Sequence, residues 1–195
     1  MIKGLICILI AYLIGSINFS ILITKVKGID IKKVGSGNAG ATNTVRALGK
    51  KYGVIVFLLD FLKGLIACLG TKFFAEEFVA YSGIAVILGH IFPLYHSFKG
   101  GKGVSTAYGV LAIVNVWVAL IAGAVHLLLI KITGVVSVST LSSFVIIPFV
   151  YSLFDNSINN IISVTFVSLI IVFSHRTNII RLIKGEENTF KKQVK

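Results

Sequence analysis

Long apolar runs dominate this chain and limit what it can become. A helix that crosses a bilayer needs about twenty mostly apolar residues, and such runs stand at Leu5–Ile23, Val54–Leu69, Phe78–Leu94, Leu141–Phe154 and Ile158–Phe173. A further stretch, Val104–Ile130, is longer than one span requires. The chain is 56% hydrophobic and only 13% charged, against roughly a quarter charged in a soluble domain. The run after Lys3 reaches Ile23 without a small-residue cleavage site, so it is expected to be a first span and not a leader.

The basic residues decide how the long stretch is divided. One group, Lys25, Lys27, Lys32, Lys33, Arg46, Lys50 and Lys51, lies between the first two runs. Another, Arg176, Arg181, Lys184, Lys191, Lys192 and Lys195, follows the last. The positive-inside rule assigns both to the cytoplasm. If Val104–Ile130 crossed once, they would fall on opposite sides. A break at Asn115, beside Trp117 as an interfacial aromatic, puts both inside together with Lys99, Lys102 and Lys131. Only Lys3 and Lys72 are then outside, and Lys63 is in the membrane.

The expectation is therefore an all-α membrane protein of seven transmembrane helices, two of them short, with the N-terminus outside and the C-terminus cytoplasmic. Residues 1–195 form a single polytopic domain in this reading. Each half of the divided stretch would have about a dozen residues, or about 18 Å of helix, too short to cross alone. One tilted span is the alternative. The net charge of +12 follows from this topology and from anionic lipid head groups, so nucleic acid is not expected as a partner. Cys7 and Cys68 fall within spans and are expected to pack there.

Polar residues gather in cytoplasmic segments. The first is Gly35–Arg46, GSGNAGATNTVR. Gly35, Gly37 and Gly40 fit G-x-G-x-x-G, but no βαβ unit surrounds them, so a dinucleotide site is excluded. The underlying physics still applies: closely spaced glycines let backbone N–H groups converge on an anion, and a following helix N-terminus strengthens the field. A flexible polar loop is the plain alternative. The second segment, GHIFPLYHSFKGGKGVST, sets Lys99 and Lys102 among Gly100, Gly101 and Gly103, which suits a phosphate or phosphoryl group. The third is HRTNIIRLIKGEE, where His175, Asn178 and Arg181 recur every three residues and would share a helix face. A basic juxtamembrane anchor explains that spacing equally well. Asp60 and Lys63, one turn apart within a span, read either as an ion pair bracing helices or as a functional pair.

Taken together, GSINFS, SGNAGATN with Arg46, LDFLKG, GHIFP…FKGGKGVST, VSVSTLSS and HRTNIIRL…GEE resemble the bacterial acyl-phosphate:glycerol-3-phosphate acyltransferase family along essentially the whole chain. Asn18 stands where that family commonly has proline, and Ser105 where alanine is frequent. The resemblance implies transfer of a fatty acyl group from acyl phosphate to the 1-hydroxyl of glycerol 3-phosphate, giving lysophosphatidic acid and phosphate. It implies no cofactor and no metal. Glycerol 3-phosphate, acyl phosphate and membrane lipid are the implied partners, along with the enzyme that makes acyl phosphate. The site is expected at the cell membrane, facing the cytoplasm.

On this basis the catalytic candidates are Lys102, Ser36, His175 and His90. Substrate contacts are expected from Gly37, Asn38, Gly40, Thr42, Asn43, Arg46, Lys99, Gly100, Gly101, Gly103, Ser137, Ser139, Asn178 and Arg181. No histidine has an aspartate five positions on, so a His–Asp base of the H-x-x-x-x-D kind is absent. Direct attack on the already activated acyl phosphate is expected, the departing phosphate taking the proton, with His90 or His175 as the fallback base. A transporter or exchanger of small anionic metabolites is the alternative class, and no internal repeat supports it.

Overall fold

The structure is a computed structural model and describes residues 1–189; Lys191, Lys192 and Lys195 of the basic tail lie outside the described residues. Packing divides the chain into two compact units, Met1–Val114 and the part from Asn115 onward.

Unit 1 contains helices α1 (Ile2–Ser16), α2 (Phe19–Val26), α3 (Ala41–Leu48), α4 (Lys50–Phe74), α5 (Val79–Ile91) and α6 (Val104–Val114). Its densest packing is α1 on α5 and α4 on α6. Glycine makes both approaches close. A Cβ at Gly15 or Gly89 would run into the Val86 or Tyr12 carbonyl, and one at Gly64 or Gly109 into the Thr106 or Phe61 carbonyl. Small residues bring helix backbones together in this way where apolar burial alone gives little preference between neighbours. The first apolar run is not one straight helix. It breaks between α1 and α2, where Ile17 and Asn18 are extended and the Asn18 side chain accepts from the Ile21 N–H as an N-cap.

Unit 2 contains α7 (Val116–Thr133), α8 (Val136–Ser152), α9 (Ile158–Ser174) and α10 (Arg176–Ile183). Here α8 packs on both α7 and α9. Gly134, at φ 69° in the left-handed region, ends α7 and opens the short connection to α8. α9 and α10 meet at a 56° bend.

The break expected at Asn115 is present, because its side chain accepts from the Trp117 and Val118 N–H groups and starts a new helix. The two parts are unequal, however. α6 has 11 residues, whereas α7 runs on to Thr133 and has 18, long enough to cross. Among the described residues, four helical segments can span a membrane by length and composition: Ile2–Val26, Lys50–Phe74, Glu76–His96 and Val116–Thr133. A fifth follows if α9 and α10 count as one bent span, while α6 and α8 are apolar but shorter.

Candidate functional site

In unit 1 the segment after α2 is shaped before it can hold anything. Ile31 is 1% exposed and anchors a short 3-10 turn, after which Gly35 (φ 55°) and Gly37 (φ 71°) turn the chain through the left-handed region that side chains disfavour. Asn43 fixes that turn from below. Its Oδ1 accepts from the Ser36 N–H at 3.0 Å, and its Nδ2 donates to the carbonyls of Ile31 (3.1 Å) and Val34 (2.8 Å). The side chain expected to touch substrate is thus buried and shapes the loop that presents Ser36, Gly37 and Asn38, all half-buried. Ser36 Oγ accepts from the Asn38 N–H at 3.4 Å.

Gly40 then caps α3, its carbonyl accepting from the Asn43 and Thr44 amides. The Ala41 and Thr42 amides at the start of α3 have no intrahelical acceptor. Thr44 donates to Gly40 O at 3.1 Å and pairs with Ser20 Oγ at 2.8 Å, tying α3 to α2. Arg46 runs past Gly35, where a Cβ would meet its Cδ at 3.1 Å.

The second loop hangs from the end of α5. Gly100 N–H donates to Ile91 O and Gly101 N–H to His90 O, each at 3.1 Å. Lys99 is exposed and Lys102 half-buried, and Gly103 (φ 81°) turns directly into α6. Neither Gly100 nor Gly101 can carry a side chain, because a Cβ would collide with the His90 carbonyl in one case and the His90 ring in the other. Gly101 also lies against the first loop, a Cβ there reaching Ala39 O at 2.6 Å. The two glycine segments therefore pack on one another, each leading into a helix N-terminus, with Lys102 and Arg46 as cations and no acidic residue in either. Such an arrangement can hold phosphoryl oxygens and stabilise charge that develops on them.

His90 is not on that surface. It is 3% exposed, with Nδ1 3.5 Å from Asp60 Oδ1 and 3.3 Å from Thr106 Oγ1.

In unit 2 the α9–α10 corner collects His175, Asn178 and Arg181. His175 Nδ1 lies 2.8 Å from the Ile171 carbonyl, so Nδ1 is a donor there. Asn178 Nδ2 donates to Glu187 Oε1 at 2.7 Å, and Arg181 Nε donates to Glu187 Oε2 at 2.9 Å. Burial pushes the Glu187 carboxyl up, but hydrogen bonds from Arg181 and Asn178, the Arg181 charge and the Ser137 hydroxyl outweigh it and hold it below the usual glutamate range. Ser139, expected as a substrate contact, is fully buried and donates to Val135 O at 3.1 Å. Glu187 has no role in the sequence reading; its partners lie six and nine residues away, a separation that no helical or strand period marks. Thr106 closes the second polar segment and Asn18 stands where the family commonly has proline, but neither is among the expected site residues.

The family model described as glycerol-3-phosphate acyltransferase matches residues 5–185. A glycerol-3-phosphate acyltransferase of Aquifex aeolicus is 42% identical over 191 residues, covering 96% of this chain and all of that one. Another, from Thermoanaerobacter pseudethanolicus, is 42% identical over 182 residues and covers 92% of each chain. Among solved structures, PlsY (YgiH), an integral membrane glycerol 3-phosphate acyltransferase, superposes in its glycerol 3-phosphate form with a TM-score of 0.92 at 42% identity, covering 96% of this chain and 95% of that one. Its lysophosphatidic acid form superposes with a TM-score of 0.89 at 41% identity and the same coverage.

Proposed function

The chain belongs to the glycerol-3-phosphate acyltransferase family of integral membrane proteins, and from that membership we propose that it moves a fatty acyl group from acyl phosphate to the 1-hydroxyl of glycerol 3-phosphate. The products are lysophosphatidic acid and inorganic phosphate, the first acylation of phospholipid synthesis. One observation carries the reading to residues: the two glycine segments of unit 1 pack against each other at Gly101 and Ala39, each ahead of a helix N-terminus and beside a cation.

The reaction joins two phosphate-bearing molecules and develops an oxyanion on the acyl carbon. Lys102, Lys99, Arg46 and the loop amides supply the positive field it needs. The glycerol oxygen attacks the acyl carbon, the bond from that carbon to the phosphate oxygen breaks, and the departing phosphate accepts the hydroxyl proton. Ser36 is on the presented face of the first loop and serves to orient substrate. His175, with Nδ1 oriented by the Ile171 carbonyl, is the alternative acceptor. Asn178 and Arg181 are proposed as further substrate contacts.

Seven crossings, with the N-terminus outside and the loops and C-terminus in the cytoplasm, fit the distribution of Lys and Arg. α6, at about 16 Å, crosses only part of the bilayer and is largely buried within unit 1. The enzyme that makes acyl phosphate is the expected protein partner. The test is product formation by the purified protein in lipid, given glycerol 3-phosphate with palmitoyl phosphate or with palmitoyl-CoA. Lysophosphatidic acid from the acyl phosphate alone is expected. Product from neither donor in folded protein would sink the reading and bring anion uptake by reconstituted vesicles to the front.

A further inference from the structure

Beneath the glycine segments of unit 1 lies a buried ionic cluster that this reaction does not use. Lys63 Nζ is 2.9 Å from Asp60 Oδ1, with both side chains at most 3% exposed. The same ammonium donates to Gly15 O at 3.0 Å and Ile17 O at 2.6 Å, carbonyls at the end of α1 where a helix runs out of donors. The same Asp60 Oδ1 lies 3.5 Å from His90 Nδ1, which also meets Thr106 Oγ1 of α6. The far edge of the His90 ring, at Nε2, is packed on Gly101 so closely that a Cβ there would collide with it. Gly101 in turn touches Ala39 O, and that carbonyl accepts from Asn18 Nδ2 at 3.2 Å. Asn18 directly follows Ile17, whose carbonyl Lys63 holds. The contacts run from Lys63 through Asp60, His90, Gly101 and Ala39 to Asn18, and the peptide bond from Asn18 to Ile17 closes the ring on Lys63.

We infer that Asp60, Lys63 and His90 are positioning residues that set the register of the Lys99–Gly103 loop against the Gly35–Gly40 loop. A brace between helices would need none of this connection to Gly101. A buried ion pair is also a poor source of stability by itself, since desolvation offsets its attraction, and a fixed geometry is the better-attested return. His90 then acts through Gly101 and does not take the substrate proton.

The inference rests on the acyl-transfer reading, and the experiment separates the two. His90→Asn keeps an N–H donor near Asp60 and Thr106 but removes the ring edge under Gly101. Turnover of palmitoyl phosphate with glycerol 3-phosphate is followed against pH, and thermal unfolding is measured on the same preparation. The expected result is a kcat about tenfold to a hundredfold lower, as for a small misplacement of reacting groups. The KM for acyl phosphate and the position of the pH–rate inflection should hold. Wild-type kcat in the variant overturns the inference, and so does a lost inflection, which would make His90 the proton acceptor. If His90→Asn does not fold, the double variant Asp60→Asn, Lys63→Met decides. Removing both charges together leaves no uncompensated buried charge, and kcat should still fall about tenfold; full activity overturns the inference. Wild-type protein that makes no lysophosphatidic acid sinks the acyl-transfer reading itself, whereas active wild type beside fully active variants sinks only the positioning role.

Discussion

The two basic regions of this molecule handle charge in opposite ways. In unit 1 the donors are mainly backbone amides, shaped by glycine and held by side chains that point inward. In unit 2 the donors are the side chains of Asn178 and Arg181, and a carboxylate of the same chain, Glu187, already meets both. The first region packs two glycine turns ahead of helix N-termini, and the second is closed on a carboxylate of its own chain. A count of lysines and arginines does not tell them apart; what differs is the kind of donor, backbone amide in one and side chain in the other. Substitutions in the first region should therefore act on turnover, and loss of the Glu187 carboxylate in the second mainly on stability.

The largest effect is expected from Lys102→Ala. If Lys102 stabilises charge at the reacting phosphoryl or acyl oxygens, its loss should cost about 10²–10³ in kcat, the range for removing one preorganised donor. Thermal unfolding in detergent should change little, because the residue is half-buried in a loop whose anchors are the backbone bonds to His90 and Ile91. Near-normal turnover would mean that the anion is held elsewhere, and the contrast between the two regions would then fail at its stronger side.

Next in size is Asn43→Asp, a change of shape by almost nothing and of chemistry at one atom. The Nδ2 group that donates to Ile31 O and Val34 O becomes an oxygen facing two carbonyls. A buried mismatch of this kind costs about 1–3 kcal/mol, and a loop out of place costs activity in addition. The expected outcome is an unfolding temperature several degrees lower and kcat reduced about tenfold where the protein is still folded. Wild-type values for both would show that the Gly35–Gly37 turn is set by its glycines without Asn43.

Much of this was readable before any coordinates, and the rest was unreadable for physical reasons. Hydropathy locates the helices because the bilayer sets their length. The break at Asn115 was legible because charge on both sides demanded it. The break at Asn18 was not legible in hydropathy, because a single polar residue in an apolar run barely alters it; only the proline common there in the family pointed to a kink. Residue type marked the glycine segments as anion sites, but it does not report which way a polar side chain points. Asn43, His90 and Ser139 are all polar residues in the expected segments, and all three turn inward to bonds of their own. Glu187 reaches its partners across the turn at Gly185, where φ is 68°, and sequence spacing carries no sign of such a contact.

The smallest effect on turnover should come from Glu187→Gln, and it tests the closed character of the second region. The carboxylate is held below the usual glutamate range by Arg181 and Asn178 against the opposing pull of burial. A group with a depressed folded-state pKa adds stability that is present above its unfolded value, near 4.3 for glutamate, and is lost as pH falls through the folded value. Wild-type protein should thus lose stability on the acid side as Glu187 protonates, and Glu187→Gln should lack that component of the slope. At neutral pH the variant exchanges a charge-assisted pair with Arg181 for a neutral one, at a cost of about 1–2 kcal/mol, while kcat changes less than threefold. Unfolding followed from pH 7 down to about pH 2 gives both quantities from one series. An unchanged acid slope would show that the clasp adds no net stability. A large fall in kcat with stability intact would mean that Glu187 orients Asn178 and Arg181 for substrate, and the second region would then be an anion site held ready by its own carboxylate.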